Sequence, residues 1–235
     1  MAQTSTAETG AAAAAERDAV RAAALARIPG WYSPWAHLAF PSLFGVGVIA
    51  AMIALLRDLQ LVELLTVPAV WLVSNAVEWR VHKNVLHRRL PLFTVLYDRH
   101  TPEHHRVFVR EDMAMRSRRE FRLVLIPFYG IVGILLMDMP IAAALLALGR
   151  PNVAALFLAT SAFYVVSYEL LHLAYHLPDD HSIGRLALVR ALRRHHATHH
   201  DPRLMQKWNF NVTVPFWDWI RKTIYKGPLD EPRGP

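Results

Sequence analysis

The sequence contains no cysteine. This absence excludes disulfides, iron–sulfur clusters, thiolate-ligated haem and thiolate zinc sites, because each of them needs a cysteine sulfur. Residues 1–30 also lack the continuous apolar core of a secretory signal. Their alanine run and mixed charges predict a surface helix or a disordered tail instead. Any metal held by this chain must therefore be bound through nitrogen and oxygen.

Apolar residues are abundant. Hydrophobic residues make up 54% of the 235-residue chain, against about 45–50% in soluble domains. Four apolar stretches, at about 38–56, 61–79, 123–148 and 153–172, predict an all-α membrane bundle of four transmembrane helices with a helical cap on the cytosolic side. The third stretch is longer than one crossing needs, so we expect a kink or break near Asp138 and Pro140, with two short spans as the alternative.

The formal net charge of +7 is typical of a protein that binds nucleic acid or an anionic membrane face. Its distribution decides between them. Of the 26 Lys and Arg residues, 24 fall in the segments 1–34, 80–122 and 178–235, which four spans place on one side of the membrane. By the positive-inside rule this side is cytosolic. We therefore predict a multi-pass protein of a bacterial inner membrane or the endoplasmic reticulum, with both termini cytosolic and no nucleic-acid partner.

Ten of the 13 histidines form four short sets. They are His82 and His87; His100, His104 and His105; His172 and His176; and His196, His199 and His200. Neutral imidazole is a preferred ligand of transition metals. Ten imidazoles are too many for one ion with four to six ligands but suit two. The sets therefore predict a buried two-metal centre at the cytosolic mouth of the bundle.

Spacing predicts how some of these side chains face one another. His172 and His176 are four residues apart and share a helix face, as do the three histidines of the last set. Glu169, one turn before His172, is placed to accept an N–H from a ligand or to hold an arginine.

The other two sets are less regular. His82 and His87 differ by about 140° on a regular α-helix, so the helix ends or bulges between them, or they bind different metals. We favour different metals. Thr101 is expected to cap a helix opened by His104 and His105, with His100 folding back before it.

The aromatic and basic segment 208–222 is expected to lie in the membrane interface or to pack as part of the cap. Three regions follow: a tail at 1–34, a membrane domain at 35–226, and a loose end at 227–235.

The order His-x4-His, His-x3-His-His, His-x3-His, His-x2-His-His, with apolar spans around it, resembles the fatty acid hydroxylase/sterol desaturase superfamily of integral membrane di-iron oxygenases. The resemblance covers about residues 61–223. Residues that neighbour the histidine sets also match the family pattern: Glu78 and Trp79 before the first set, Arg88 after it, and Asn209, Pro215, Trp217 and Asp218 after the last set.

The resemblance implies that the ten histidines bind two iron ions, with zinc an alternative as purified. It also implies O₂ as co-substrate, a fatty acyl, sphingolipid, sterol or isoprenoid substrate drawn from the bilayer, and hydroxylation of an unactivated C–H bond. Electrons would come from a separate reductase or carrier protein. Desaturation, carotenoid hydroxylation, a non-enzymatic metal carrier and a bis-histidine haem protein are the alternatives. No catalytic residue beyond the metal ligands is predicted.

Overall fold

The computed structural model describes residues 2–229, with side chains from residue 11 onward. This part of the chain is helical, without strands, and confirms the predicted all-α class. Its α-helices are α1 (Ala2–Ala26), α2 (Pro34–Ala54), α3 (Thr66–Val81), α4 (Thr94–Arg99), α5 (His105–Val107), α6 (Phe121–Val124), α7 (Phe128–Ala147), α8 (Pro151–Tyr175), α9 (Ala187–His199) and α10 (Phe216–Arg221). Two π-helical stretches, His82–Leu86 and His100–His104, extend α3 and α4. Most of the predicted loose end, 230–235, lies outside the described residues.

Four helical stretches are long and apolar enough to cross a membrane, as the sequence predicts. They are Pro34–Ala54, Leu61–Leu86, Arg118–Ala147 and Pro151–Tyr175. Ser33 caps the first of them by accepting the Ala36 N–H at 3.2 Å. The second begins as a 3₁₀ turn and becomes α3 at Thr66, so Pro68 lies in the first turn of α3.

The third span is interrupted at a different place from the one predicted. α7 runs unbroken through Pro140, and the interruption lies at residues 125–127, between α6 and α7. Pro127 disfavours helical backbone at the residue before it, and Leu125 is already extended, with ψ of 146°. Asp138, which the sequence associated with the break, instead accepts a hydrogen bond from Ser161 of α8. The prediction of a break at 138–140 is therefore wrong, whereas a kink at Pro140 stays a prediction.

α8 is the central helix of the bundle. In the most apolar part of α8, half of the residues are buried inside the protein, whereas at most 17% are buried in the other three spans. At Gly45 the backbone of α2 approaches α8 so closely that a Cβ would overlap the Val166 side chain. Because α8 ends at Tyr175, His172 and His176 lie at the inner end of the best-packed helix, which fixes their positions.

Helix α1 and residues 209–213 both pack against other segments of the described chain. α1 packs through buried Arg21 and Ala24 against residues 107–121, and the domain bounds 1–34, 35–226 and 227–235 stay predictions. Residues 209–213 are buried, which supports cap packing for this part of 208–222. Trp219 on α10 remains 67% exposed.

Candidate metal centre

All ten histidines of the four sets are buried together around the C-terminal ends of α3 and α8. They form two groups of five, and within each group one ring nitrogen per residue lies within 4.8 Å of the others. The first group is His82, His87, His100, His105 and His199, and the second group is His104, His172, His176, His196 and His200. The remaining histidines, His37, His181 and His195, belong to neither group.

His82 and His87 belong to the same group, because the backbone between them is π-helical. A π-turn closes i→i+5, so it brings residues five apart onto one face, where an α-helix would separate them. Their rings are stacked with centroids 5.2 Å apart. The bulged alternative is therefore correct, and our preference for two different metals at these residues is wrong.

The second set follows the same rule. His100 and His105 are also five apart, and the π-turn His100–His104 places both in the first group. His104 faces the second group. The helix continues directly from α4, so Thr101 is not the N-cap that the sequence predicted. Its hydroxyl instead donates to the Leu86 carbonyl at 2.7 Å and contacts His87 Nδ1 at 3.1 Å.

α8 and α9 supply the other five rings. His172 and His176 share the second group, as their spacing predicts. In the last set, His196 and His200 join that group, whereas His199 belongs to the first. The expectation that these three share one face is therefore only partly correct, since i and i+4 stay together and i+3 points to the neighbouring group.

The ring nitrogens are spaced as ligands of a common ion would be. In the first group, His100 Nε2 is 2.9 Å from His82 Nε2 and 3.1 Å from His105 Nε2. The His87–His199 Nε2 pair is separated by 2.9 Å, and in the second group the His196–His200 pair by 3.0 Å. Two nitrogens about 2.1 Å from a metal and at right angles would be about 3.0 Å apart.

Backbone carbonyls orient five of the rings through Nδ1, which leaves Nε2 facing into the groups. His104 Nδ1 donates to Leu123 O at 3.0 Å, His176 Nδ1 to Met113 O at 2.8 Å, His199 Nδ1 to Trp208 O at 2.9 Å, His200 Nδ1 to Phe108 O at 2.6 Å, and His82 Nδ1 to Phe210 O. Such outer hydrogen bonds select the tautomer in which the inner nitrogen carries a free lone pair.

Several buried ring nitrogens have no partner among the described residues. They include Nε2 of His104 and His176 and both nitrogens of His172, all in the second group. An unpaired buried polar atom costs about 1–3 kcal/mol. A metal ion bound to one nitrogen of each ring would satisfy it, so the second group fits a metal. In the first group the fit rests on the Nε2 spacings of 2.9–3.1 Å.

Burial lowers the pKa of the eight ring systems that lie outside the spans. They are His87, His100, His104, His105, His176, His196, His199 and His200. Repulsion between neighbouring rings adds to the effect of desolvation. At neutral pH these imidazoles are therefore uncharged, which is the form that binds metals.

Glu78 and Asp218 bind the backbone of residues 210–213, next to the Trp208 and Phe210 carbonyls that orient rings of the first group. Glu78 accepts the backbone N–H groups of Val212 and Thr213 and the Tyr164 hydroxyl. Asp218 accepts the N–H groups of residues 210 and 211 at 3.0 and 2.7 Å. Sequence reasoning noted both acids as neighbours of the histidine sets but gave them no role, because their partners are distant in sequence.

Asp218 also contacts His195 Nε2 at 3.1 Å, so this histidine, which belongs to neither group, supports the site from outside. Burial raises the pKa of Asp218, but hydrogen bonds from His195, Thr223 and the Asn211 N–H together outweigh burial and lower it below its usual value. Asp218 is therefore a carboxylate at neutral pH.

Glu169 contacts no histidine of either group. Its carboxylate accepts the Ile126 N–H at 3.1 Å, which satisfies the backbone at the break in the third span. The expectation that Glu169 holds a ligand is therefore not supported by its contacts.

The family comparison agrees with this geometry. The family model described as fatty acid hydroxylase matches residues 67–223, more than half of the chain and the whole of both histidine groups. No curated protein and no solved structure matches the chain. Together, the family and the histidine clusters indicate a membrane metal enzyme of the hydroxylase or desaturase type. The chain belongs to the fatty acid hydroxylase family, within the fatty acid hydroxylase/sterol desaturase superfamily.

Proposed function

We propose that this protein is an O₂-dependent membrane lipid monooxygenase that hydroxylates an unactivated C–H bond of a fatty acyl, sphingolipid, sterol or isoprenoid substrate. The observation that carries the proposal is the pair of buried, all-imidazole groups, five rings each, in a chain of this family. A structural metal site needs four ligands, so ten converging rings indicate a two-metal centre.

Each group is proposed to hold one iron ion, with zinc a competitor during purification because imidazole accepts both. Bound iron would supply the activation of O₂ and the attack on the C–H bond. One oxygen atom enters the substrate, and the other is reduced to water by two electrons and two protons. The electrons are proposed to come from a separate reductase or carrier protein.

The chain itself shields the centre from water. Phe108 and Phe210 are fully buried against the rings, with centroids 4.5 Å from His176 and 5.7 Å from His199 respectively. A dry, imidazole-only shell limits side reactions of a strong oxidant. The lack of cysteine also removes the side chain most easily oxidised by it.

Eight of the ten rings lie outside the spans and the other two near the span ends, which supports lateral entry of a lipid from the bilayer. We propose that this side is cytosolic, since the basic segments flank it. A metal transporter would be expected to place its ligands near the bilayer midplane, within broken helices. The position of the histidines therefore favours an enzyme over a carrier.

The test compares His176→Ala with His181→Ala, a matched change at an exposed histidine outside both groups. The wild type and the His181 variant are expected to bind two metal ions per chain, measured by elemental analysis after purification. Cells that express them under ¹⁸O₂ should accumulate a lipid heavier by one labelled oxygen, and His176→Ala should abolish that product.

A product that has lost two hydrogens without the label would identify a desaturase. Wild-type protein that carries one ion or none, or metal flux without any lipid product, would overturn the proposal. A visible Soret band would point to haem instead.

A further inference from the structure

We propose that the N-terminal helix is part of the metal centre, and that Arg21 is a positioning residue for the second histidine group alone. This inference rests on the proposed function in that it needs an ion in each group. Arg21 lies outside the segment that matches the family, and no histidine contacts it directly. Its influence must therefore pass through the segment it binds.

Arg21 is almost wholly buried, with 4% of its side chain exposed, and it binds the cap at several points. Its guanidinium pairs with Glu120, which is itself buried. It also donates to the carbonyls of Val107 and Ala114, both at 3.3 Å, and contacts Asp112 at 3.4 Å. The N–H groups of the single Arg21 guanidinium thus bind both ends of segment 107–114 to α1.

That segment forms the outer wall of the second group. Phe108 O accepts His200 Nδ1 at 2.6 Å, and Met113 O accepts His176 Nδ1 at 2.8 Å. The Phe108 ring packs on His176 and on His104, with centroids 4.5 and 5.2 Å apart. Arg21 also lies over the Phe108 ring, 5.2 Å from its centroid. Three of the five ligands are therefore oriented by residues that Arg21 holds.

The first group has separate supports. Its rings are oriented by Phe210 O, Trp208 O and the Thr101 hydroxyl, and Asp218 binds the backbone on the Phe210 side. None of the described contacts of Arg21 reaches these residues. Loss of Arg21 should therefore weaken the second ion much more than the first.

A single neutral substitution of Arg21 would leave the Glu120 charge buried without its partner, which is strongly destabilising in itself. The informative variant is therefore Arg21→Met with Glu120→Gln. Gln retains an oxygen for the N–H groups of Arg116 and Ser117, which Glu120 now accepts at 3.2 and 3.1 Å. The pair of changes removes the link to segment 107–114 and leaves no buried charge.

The control is Asp18→Asn, also on α1. Asp18 pairs with Arg116 at 2.7 Å, but both side chains are at least half exposed, so the pair adds little. His176→Ala and His87→Ala provide reference spectra for protein that keeps mainly the first or mainly the second ion.

Purified, iron-loaded full-length protein is dialysed against a chelator, and bound metal and Mössbauer spectra are recorded. The double variant is expected to lose its second-group ion at least about tenfold more readily than wild type, the usual scale for loss of an outer-shell contact. Its remaining spectrum should match His176→Ala and differ from His87→Ala. Asp18→Asn should retain two ions, and Arg21→Lys should be intermediate because one ammonium cannot reach all the partners.

A double variant that keeps both ions with the wild-type spectrum would overturn the inference and leave the proposed function intact. Equal loss of both ions would also overturn it, since Arg21 would then be a general stabiliser of the fold. Wild-type protein that never binds two ions would defeat the proposed function and this inference together.

Discussion

Thr101→Val removes one hydroxyl at the back of the first histidine group while keeping a branched side chain of similar size. In the structure this hydroxyl donates to Leu86 O at 2.7 Å. Its proton is therefore committed, and it can only accept at the 3.1 Å contact with His87 Nδ1. His87 Nδ1 must then carry a hydrogen, which leaves the lone pair on Nε2, the atom 2.9 Å from His199 Nε2. Thr101 thus selects the metal-binding tautomer of His87.

The size of the effect follows from what the change leaves unpaired. His87 is buried, so an N–H without an acceptor costs about 1–3 kcal/mol of folding free energy. Loss of an outer-shell partner lowers metal affinity by about 10- to 100-fold. At about 1.4 kcal/mol for each factor of ten, this is about 1.4–2.8 kcal/mol of binding free energy in the first group. The second group, which Thr101 does not contact through its hydroxyl, should be unaffected.

The assay is a chelator competition on purified protein, read as metal bound per chain, for wild type, Thr101→Val and Thr101→Ser. Serine keeps the hydroxyl, so Thr101→Ser should titrate within about threefold of wild type, well inside the tenfold change that loss of an outer-shell partner causes. If Thr101→Val retains its first-group ion as tightly as Thr101→Ser does, the hydroxyl does not fix the His87 tautomer, and the reasoning fails.

Packing of the spans and burial of the imidazoles set three further measurable outcomes. Gly45→Ala should overpack the helix contact with Val166, reduce the free energy of unfolding by about 1–3 kcal/mol, and so lower the melting temperature in detergent. Gly47→Ala is the control, because a Cβ at residue 47 meets open space and should leave the melting temperature unchanged. Glu78→Gln should reduce the free energy of unfolding only slightly, because the Tyr164 and Thr213 hydroxyls that now donate to Glu78 can rotate and accept instead. Glu78→Ala should cost about 1–3 kcal/mol for each of the Val212 and Thr213 N–H groups that it leaves unpaired. Thermal unfolding measures both effects. In metal-free protein, burial lowers the pKa values of the eight histidines outside the spans, so the unfolded chain binds more protons than the folded chain once the pH falls below about 6.5. Acid therefore favours the unfolded chain, and the melting temperature should drop as the pH is lowered from about 8 to about 5. A melting temperature that does not change over this range would contradict the prediction.

Hydropathy was sufficient to predict the four spans, because an apolar run of this length has few other stable environments. It was not sufficient to place the break in the third span. Pro140 has the stronger sequence signal, being in the middle of the run and beside Asp138, yet α7 continues through it. A single missing N–H bond is tolerated inside a packed bundle. The break at 125–127 lies beside Pro127, and Glu169 accepts the Ile126 N–H there.

The sequence also indicated which histidines converge, because four tight sets at span ends can meet on one side of a membrane. Their division into two groups was not accessible from spacing alone. His82 and His87 share a group only because the helix widens into a π-turn, and that turn is stabilised by contacts with distant residues, such as the Phe210 carbonyl. Arg21 gave no signal at all, since its partner Glu120 is 99 residues away.

The two adjacent histidine pairs fix the separation of the two histidine groups. Neighbouring residues on a helix point about 100° apart, so His104 and His105 cannot both face one ion, and neither can His199 and His200. In each pair, one ring belongs to the first group and the other to the second. The two groups are therefore joined by rigid backbone at two places, on different helices. Moving one group without the other would require unwinding both helices, and this favours a centre whose two ions act on the same substrate over two independent metal sites.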